Sequence, residues 1–449
     1  MLSFLDREHT VAPPGYSRWL VPPAAIAVQM CIGEIYGFSV FNVPLSRAVG
    51  IAKPAAEDWS VPTIVLCTYS LGLILLGLSA AVLGKWVEAH GPRKAMFASA
   101  VFFCGGLVLA SLGVGLHNLA LLTLGYGLVG GVGLGLGYIA PVSTLVKWFP
   151  DRPGMATGMA IMGFGSGALV GGPLGVALMD HFKSATSVGV QETFLVMAGL
   201  YFLMMNFGAL IVRVPAPGWK PDGFVAAVKP RALVTTAQVA VDAAWRTPQF
   251  WLLWMVLCTN VTAGIGVLAQ ASPMAQDMFG VSAAVAGGFV GLLSITNTAG
   301  RFFWSSFSDV IGRKAAFCVY FVLGGGLYLL IPYAQRSNSV ILFVAVAGLI
   351  ISMYGGGFAT TPAYLRDLFG TMQVGAIHGR VITAWSMAAV LGPQLVTNLS
   401  AYQKAHGVPK DQAYNSTMLL MAGILMIGLV CNLLIREVDP RHHHQGSPA

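Results

Sequence analysis

The chain has 449 residues, 56% hydrophobic and 9% charged, with a mean hydropathy of +0.74. Soluble globular proteins carry about 25% charged residues, so this composition excludes a water-soluble fold and makes the bilayer the solvent. The formal charge of +8 does not point to nucleic acid, because the basic residues stand in short loops between apolar runs and form no basic face or tail.

In chain order, the first twenty residues hold Asp6, Arg7, Glu8 and Arg18 and no short apolar core. No cleaved signal peptide is expected there, and the first membrane helix leads insertion. A bilayer core takes about 20 apolar residues per helix. The apolar runs predict twelve spans, at 21–45, 61–82, 95–114, 119–145, 155–180, 192–213, 248–273, 282–306, 315–334, 339–364, 376–401 and 414–436. The longest polar connection, 214–247, carries Lys220, Asp222, Lys229, Arg231, Asp242 and Arg246. It separates an N-terminal six-helix bundle (1–213) from a C-terminal six-helix bundle and tail (248–449). The expected fold is an all-α membrane protein of two bundles.

Lysine and arginine collect in cytoplasmic loops. With both termini in the cytoplasm, the cytoplasmic segments hold 18 of the 25 basic residues and the opposite side holds six. Arg301 is left over, inside a span. The bias sets both termini in the cytoplasm, with a bacterial inner membrane as the expected location.

The halves repeat each other. Gly84-Lys-Trp-Val-Glu88-Ala-His-Gly91-Pro-Arg93-Lys94 lies between spans 2 and 3, and Ser305-Ser-Phe-Ser-Asp309-Val-Ile-Gly312-Arg313-Lys314 between spans 8 and 9. Glu88 and Asp309 are 221 residues apart. Phe149 and Phe369, Gly172-Pro173 and Gly392-Pro393, and Tyr138 and Phe358 are each offset by 220. Such an offset implies two homologous bundles of the same topology, related by an axis along the membrane normal. The repeated loop resembles the signature of the major facilitator superfamily, with Glu88 where Asp is usual and Ser305 where Gly is usual. The resemblance implies a latch of Glu88, Arg93, Asp309 and Arg313 across the cytoplasmic helix ends.

More narrowly, the chain resembles the oxalate/formate antiporter family. The stretches that carry this are Tyr36-Gly-Phe-Ser-Val-Phe-Asn-Val-Pro44, Lys147-Trp-Phe-Pro-Asp-Arg-Pro-Gly154, Arg246-Thr-Pro-Gln-Phe-Trp251, and Asn297-x-x-Gly-Arg301-x-x-Trp304 running into Ser308-Asp309. The resemblance implies that Arg301, about 12 Å deeper along its helix than Asp309, binds substrate carboxylate. A guanidinium stays charged and offers a planar fork to a carboxylate. It also implies that Tyr36, Tyr138, Phe164, Tyr354 and Phe358 line the cavity. For any single one of these rings, helix packing is the competing role. Gln270 and Asn297 are candidate neutral donors. Where the oxalate pattern has a lysine on span 11, this chain has Trp385. One cation balances one negative charge, so a monocarboxylate is expected over a dianion.

Glu34 lies mid-span, two residues from Tyr36 and about 200° around an ideal helix from it. It is a possible proton site, with a structural role inside the bundle as the preferred alternative. Gly127, Gly131 and Gly135, like Gly163, Gly167 and Gly171, form stripes that let helices approach closely. His378 and Arg380, at the cytoplasmic start of span 11, are expected in solvated loop roles, and His442–His444 in a tail. The six cysteines stand alone in separate apolar segments, without metal-ligand spacing. No nucleophile–base pair, metal cluster or cofactor motif stands out, so no enzyme activity, metal or cofactor is expected. The function expected is a monomeric secondary antiporter of small organic anions such as formate, oxalate or lactate. The alternatives are a proton-coupled monocarboxylate symporter and a membrane sensor.

Overall fold

The computed structural model describes residues 3–224 and 233–444, so Lys229 and Arg231 of the linker lie outside the described residues. Among the described residues, eleven helical segments are long and apolar enough to cross a bilayer. They are span 1 (Arg18–Gly37), span 2 (Val61–His90), span 3 (Pro92–Gly115), span 4 (Leu119–Trp148), span 5 (Pro153–Phe182), span 6 (Val190–Ile211), span 7 (Pro248–Phe279), span 9 (Arg313–Arg336), span 10 (Val340–Phe369), span 11 (Val374–Ala405) and span 12 (Asn415–Leu434). Span 8 is the helix Ala283–Ile311, 29 residues long, with Asn297 and Arg301 in its course. Several helices outrun the apolar runs that predict them, because backbone hydrogen bonding continues into polar flanks once the helix is nucleated. Among the described residues there is no β-sheet; the only bridge joins Val11 to Val214.

The helices pack as two bundles. Span 1 lies on spans 5 and 6, span 2 on span 4, and span 3 on spans 4 and 6; span 7 lies on spans 11 and 12, span 8 on span 10, and span 9 on spans 10 and 12. The bundles meet along two related seams, span 5 on span 8 and span 2 on span 11. Large apolar residues such as Leu203, Val310 and Ile341 are exposed on the outer surface. In water that surface would drive aggregation; against lipid it costs nothing.

Glycine shapes both the hairpins and the seams. Gly91 (φ +87°) and Gly312 (φ +88°) end spans 2 and 8 in a backbone region that side chains disfavour, and the next helix begins at once. Within the N-terminal bundle, a Cβ on Gly167 would lie 2.2 Å from the Gly33 backbone. The stripe Gly163–Gly167–Gly171 therefore faces span 1, and Gly127–Gly131–Gly135 faces span 2, as the spacing predicts. The seams use different glycines. Gly154 and Gly158 lie against Ser305, and Gly84 against Ala376.

Span 1 changes pitch where it matters. It is α-helical over Val21–Ile32, tightens to a 3₁₀ turn over Gly33–Gly37, and resumes as an α-helix over Ser39–Leu45. A 3₁₀ turn advances about 120° per residue, so Glu34 and Tyr36 leave the helix on different sides.

Candidate functional site

Arg301 is fully buried on span 8. Its Nε donates to Asn297 Oδ1, one turn earlier, at 3.4 Å, and its Nη1 donates to the Ile161 carbonyl of span 5 at 3.1 Å. Its Nη2 has no hydrogen-bond partner. Among the described residues no carboxylate pairs with this guanidinium. Three rings approach it instead, Phe358 at 5.1 Å, Tyr36 at 5.8 Å and Phe164 at 5.9 Å from Cζ to centroid. A desolvated cation–π contact is worth about 2 kcal/mol, while burying an ion costs several kcal/mol or more. The guanidinium keeps charge and a donor to spare. Glycine makes the space for it: a Cβ on Gly165 would lie 3.0 Å from Arg301 Nε, and one on Gly355 3.1 Å from Cγ.

The rings form one connected box drawn from both bundles. Tyr36 meets Phe164 at 5.0 Å and Trp385 at 6.3 Å. Tyr138 meets Phe164 at 5.7 Å and Phe358 at 5.6 Å, and Phe358 meets Trp385 at 5.8 Å. Tilted and edge-on contacts of this kind are the favourable ones for aromatic pairs. The hydroxyls of Tyr36 and Tyr354 are 3.3 Å apart. Tyr138 Oη is buried with no partner. Asn297 belongs to the box as the residue that steadies Arg301. Gln270 does not: it is half-buried on span 7 and donates to Thr397 Oγ1 at 3.0 Å. Thr397 is twelve residues beyond Trp385, about 18 Å along that helix.

One residue of the cluster is expected elsewhere by its position. His378 is 1% exposed, lies 5.5 Å from the Tyr138 ring, and has an unpartnered Nε2. Its neighbour Arg380 explains the misplacement, since a charged residue two positions away reads as a solvated end. The helix face separates the two. Arg380 turns to the linker, donating to the Val241 carbonyl and to Asp242.

A sequence profile of the Major Facilitator Superfamily matches residues 24–393 and 264–449. The chain belongs to the Major Facilitator Superfamily. It is 28% identical over 85% of its length, and 88% of the relative's, to the uncharacterized MFS-type transporter YhjX of Escherichia coli (strain K12). It is 25% identical to the oxalate:formate antiporter of Oxalobacter formigenes, over 84% of this chain and 83% of that one. The solved structure of the E. coli fucose:proton symporter FucP, in its outward conformation, superposes on 93% of this chain and 99% of that one with a TM-score of 0.65; at 12% identity this is a likeness of fold.

In this facilitator each repeated loop lies against the opposite bundle, by a related geometry. Asp309 accepts from the backbone N–H of Gly154 and of Met155, each at 2.8 Å, at the start of span 5, and pairs with Arg313 at 2.5 Å. Glu88 accepts from the N–H of Gly375 at 2.9 Å, at the start of span 11, and pairs with Lys147 at 2.6 Å. Each carboxylate thus meets the positive end of a helix dipole. Arg313 also pairs with Asp367 at 3.2 Å. Arg93 departs from the expectation. It is buried and donates to the carbonyls of Phe4, Ala209, Leu210 and Val212, at the end of span 6. It ties the N-terminal segment to its own bundle and does not join the latch, because the residue inserted before it, Pro92, starts span 3 and turns it away from Glu88.

The linker adds a third tie. Asp242 accepts from Lys85 of span 2 and, at 2.9 Å, from Arg380 of span 11. Hydrogen bonds from Lys85 and then Arg380 hold this carboxyl below its usual range.

Glu34 is 1% exposed inside the N-terminal bundle. Its Oε2 accepts from Tyr126 Oη at 3.1 Å, and its Oε1 has no partner. A Cβ on Gly171 would lie 2.7 Å from Glu34 Cγ and 3.0 Å from Tyr201 Oη. Glu34 therefore packs among spans 4, 5 and 6, while Tyr36 packs against Phe164, Tyr354 and Trp385 at the bundle interface.

Proposed function

We propose that this facilitator exchanges small organic carboxylates, monocarboxylates above all, by alternating access. The observation that carries the reading is Arg301, a fully buried guanidinium with no carboxylate partner among the described residues and a spare donor, inside a box of rings contributed by both bundles. A site made of parts from both bundles changes shape when they rock, as substrate release requires. The likeness to an oxalate:formate antiporter supports carboxylates as the substrate class. Trp385 supplies an N–H and no charge, so one cation balances one carboxylate and a dianion keeps an unpaired charge in a dry site. Emptied, the site holds a buried positive charge that resists crossing the membrane, which favours exchange over net uptake. The packing of Glu34 among spans 4, 5 and 6 supports exchange over proton-linked symport. Both termini and the latches lie on the cytoplasmic side, where 18 basic residues collect.

The test is counterflow of radiolabelled formate, lactate and oxalate in liposomes holding the purified protein. Arg301→Lys is expected to impair counterflow although it keeps the charge, since the fork is lost, and Arg301→Gln to abolish it. Undiminished counterflow by correctly folded Arg301→Gln protein overturns the proposal.

A further inference from the structure

The segment ahead of span 1 is bonded down over the latch end of the N-terminal bundle. Leu5 is 3% exposed and Thr10 fully buried, so this stretch packs against the bundle. It has two anchors. One is the exit of span 6. There the Ala12 N–H donates to the Val214 carbonyl and the Val214 N–H to the Thr10 carbonyl, both at 2.9 Å, and Tyr16 Oη donates to the Ile211 carbonyl at 3.0 Å. The other is the hairpin between spans 2 and 3. Asp6 pairs with Lys94 at 3.1 Å, Arg93 Nη1 donates to the Phe4 carbonyl at 2.8 Å, and Arg7 Nη1 donates to the Glu88 carbonyl at 3.2 Å. Arg7 also covers Gly91, where an added Cβ would lie 3.1 Å from Arg7 Cβ.

The bond to Glu88 joins this segment to the latch. Span 2 ends at His90. The residue four positions after Glu88 is Pro92, which has no N–H, so the Glu88 carbonyl has no helical donor. Arg7 caps it and brings a cation to the negative end of the helix dipole. The carboxylate of the same residue reaches the other way, to the Gly375 N–H on span 11. At the Asp309 loop, the loop's own arginine, Arg313, pairs with the carboxylate. At the Glu88 loop, Arg93 turns to Phe4 and the end of span 6, and an arginine comes back from the segment that Arg93 holds. We propose that residues 4–16 form a strap that steadies the end of span 2, keeps Glu88 aimed at Gly375, and so sets how readily the two bundles part on the latch side. The strap is a positioning element: the bonds named for it lie within the N-terminal bundle, and it reaches the other bundle only through Glu88. Its Asp6–Lys94 pair is exposed, so rising ionic strength loosens the strap there.

The experiment uses the purified full-length protein in detergent, carrying Ala376→Cys. Ala376 is 1% exposed and lies against Gly84 of span 2, so a thiol there reports the parting of that seam. The measurement is its rate of maleimide labelling, over the background that the six native cysteines give in the parent protein. Arg7→Ala, and deletion of residues 3–10, are expected to speed labelling by about threefold or more, as loss of one hydrogen bond from a charged group allows. Arg7→Lys, which keeps a cation at the helix end, is expected to speed it by less. Glu88→Gln alone is expected to speed it as well. The decisive reading is the coupling of the two: in Glu88→Gln protein, Arg7→Ala is expected to add little, because the strap acts through that carboxylate. The same factor for Arg7→Ala with and without Glu88→Gln means a merely structural strap and overturns the inference. So does unchanged labelling in Arg7→Ala. Where the deletion fails to fold, the Arg7 variants decide alone. No carboxylate enters this assay, so failure of the strap and failure of the carboxylate site are separate results.

Discussion

The N–H of Gly375 donates to the carboxylate of Glu88 across the junction of the two bundles, at 2.9 Å. Gly154, the residue 221 positions before Gly375, donates in the same way to Asp309, the residue 221 positions after Glu88. The two latches are unequal. Asp309 takes two backbone N–H groups and Arg313, whereas Glu88 takes one N–H and Lys147. Hydrogen bonds to charged groups contribute about 1.5–3 kcal/mol each. Asp309→Asn is therefore predicted to change the exchange rate by about tenfold or more, and Glu88→Gln by less. Exchange rates of the two variants in proteoliposomes decide it; an equal or reversed order refutes the ranking.

Arg301 is predicted to cost stability. Arg301→Met keeps the apolar stem against the rings and removes a buried, unpaired charge. Replacing buried ionic groups by apolar ones of similar volume is often neutral or stabilising by about 1–4 kcal/mol. The variant should melt a few degrees higher in detergent while losing counterflow. A lower melting temperature would mean that the bonds to Asn297 and Ile161 outweigh the desolvation of the charge.

Trp385 touches Tyr36, Phe164 and Phe358. Trp385→Lys would put a second cation into the box and should improve competition by oxalate relative to formate, by about tenfold or more if the ammonium is desolvated there. The measurement is inhibition of labelled exchange by a panel of mono- and dicarboxylates. Preference for oxalate in the unmodified protein would defeat the charge count.

Glu34→Gln keeps an acceptor for Tyr126 and nearly the same volume. Exchange is predicted to stay within about twofold, and uptake into liposomes empty of substrate to remain insensitive to an inward proton gradient. Gradient-driven uptake that vanishes in Glu34→Gln while exchange survives would make Glu34 the proton site. Gly171→Ala, by contrast, forces a Cβ to within 2.7 Å of Glu34 Cγ and should destabilise the fold by about 1–3 kcal/mol.

Asp242 carries the pH prediction. Its carboxyl is held low by Lys85 and Arg380, so the tie is complete above the ordinary carboxylate range and is lost only as pH falls through the depressed value. Between pH 5.5 and 8, above the ordinary carboxylate range, the tie should not titrate. Asp242 is more than half exposed, so salt should weaken it. The difference in exchange rate between Asp242→Asn and the unmodified protein is expected to be the same at both ends of that pH range and to shrink at high ionic strength. A difference that grows as pH rises from 5.5 to 8 contradicts the assignment.

Much of this architecture was legible along the chain because it depends on local quantities. Apolar run length sets where a helix crosses a bilayer, and the repeated loops set where two equivalent bundles begin. Arg301 was conspicuous for the same reason, as a charge where the local solvent should be apolar. Which face of a helix meets which neighbour is not a local quantity. Glu34 and Tyr36 stand on different faces by their spacing alone, but which neighbours those faces meet, spans 4, 5 and 6 for Glu34 and the bundle interface for Tyr36, is decided by packing. A single extra residue, Pro92, takes Arg93 out of the latch that its counterpart Arg313 joins. His378 and Arg380, two residues apart, divide between a buried ring box and an exposed tie because a short helix turns one toward Tyr138 and the other toward the linker. Gln270 pairs with a threonine far along span 11 because span 7 carries it past the level of the box. Those assignments belong to the tertiary structure, since helix phase and interface are settled by packing against residues hundreds of positions away.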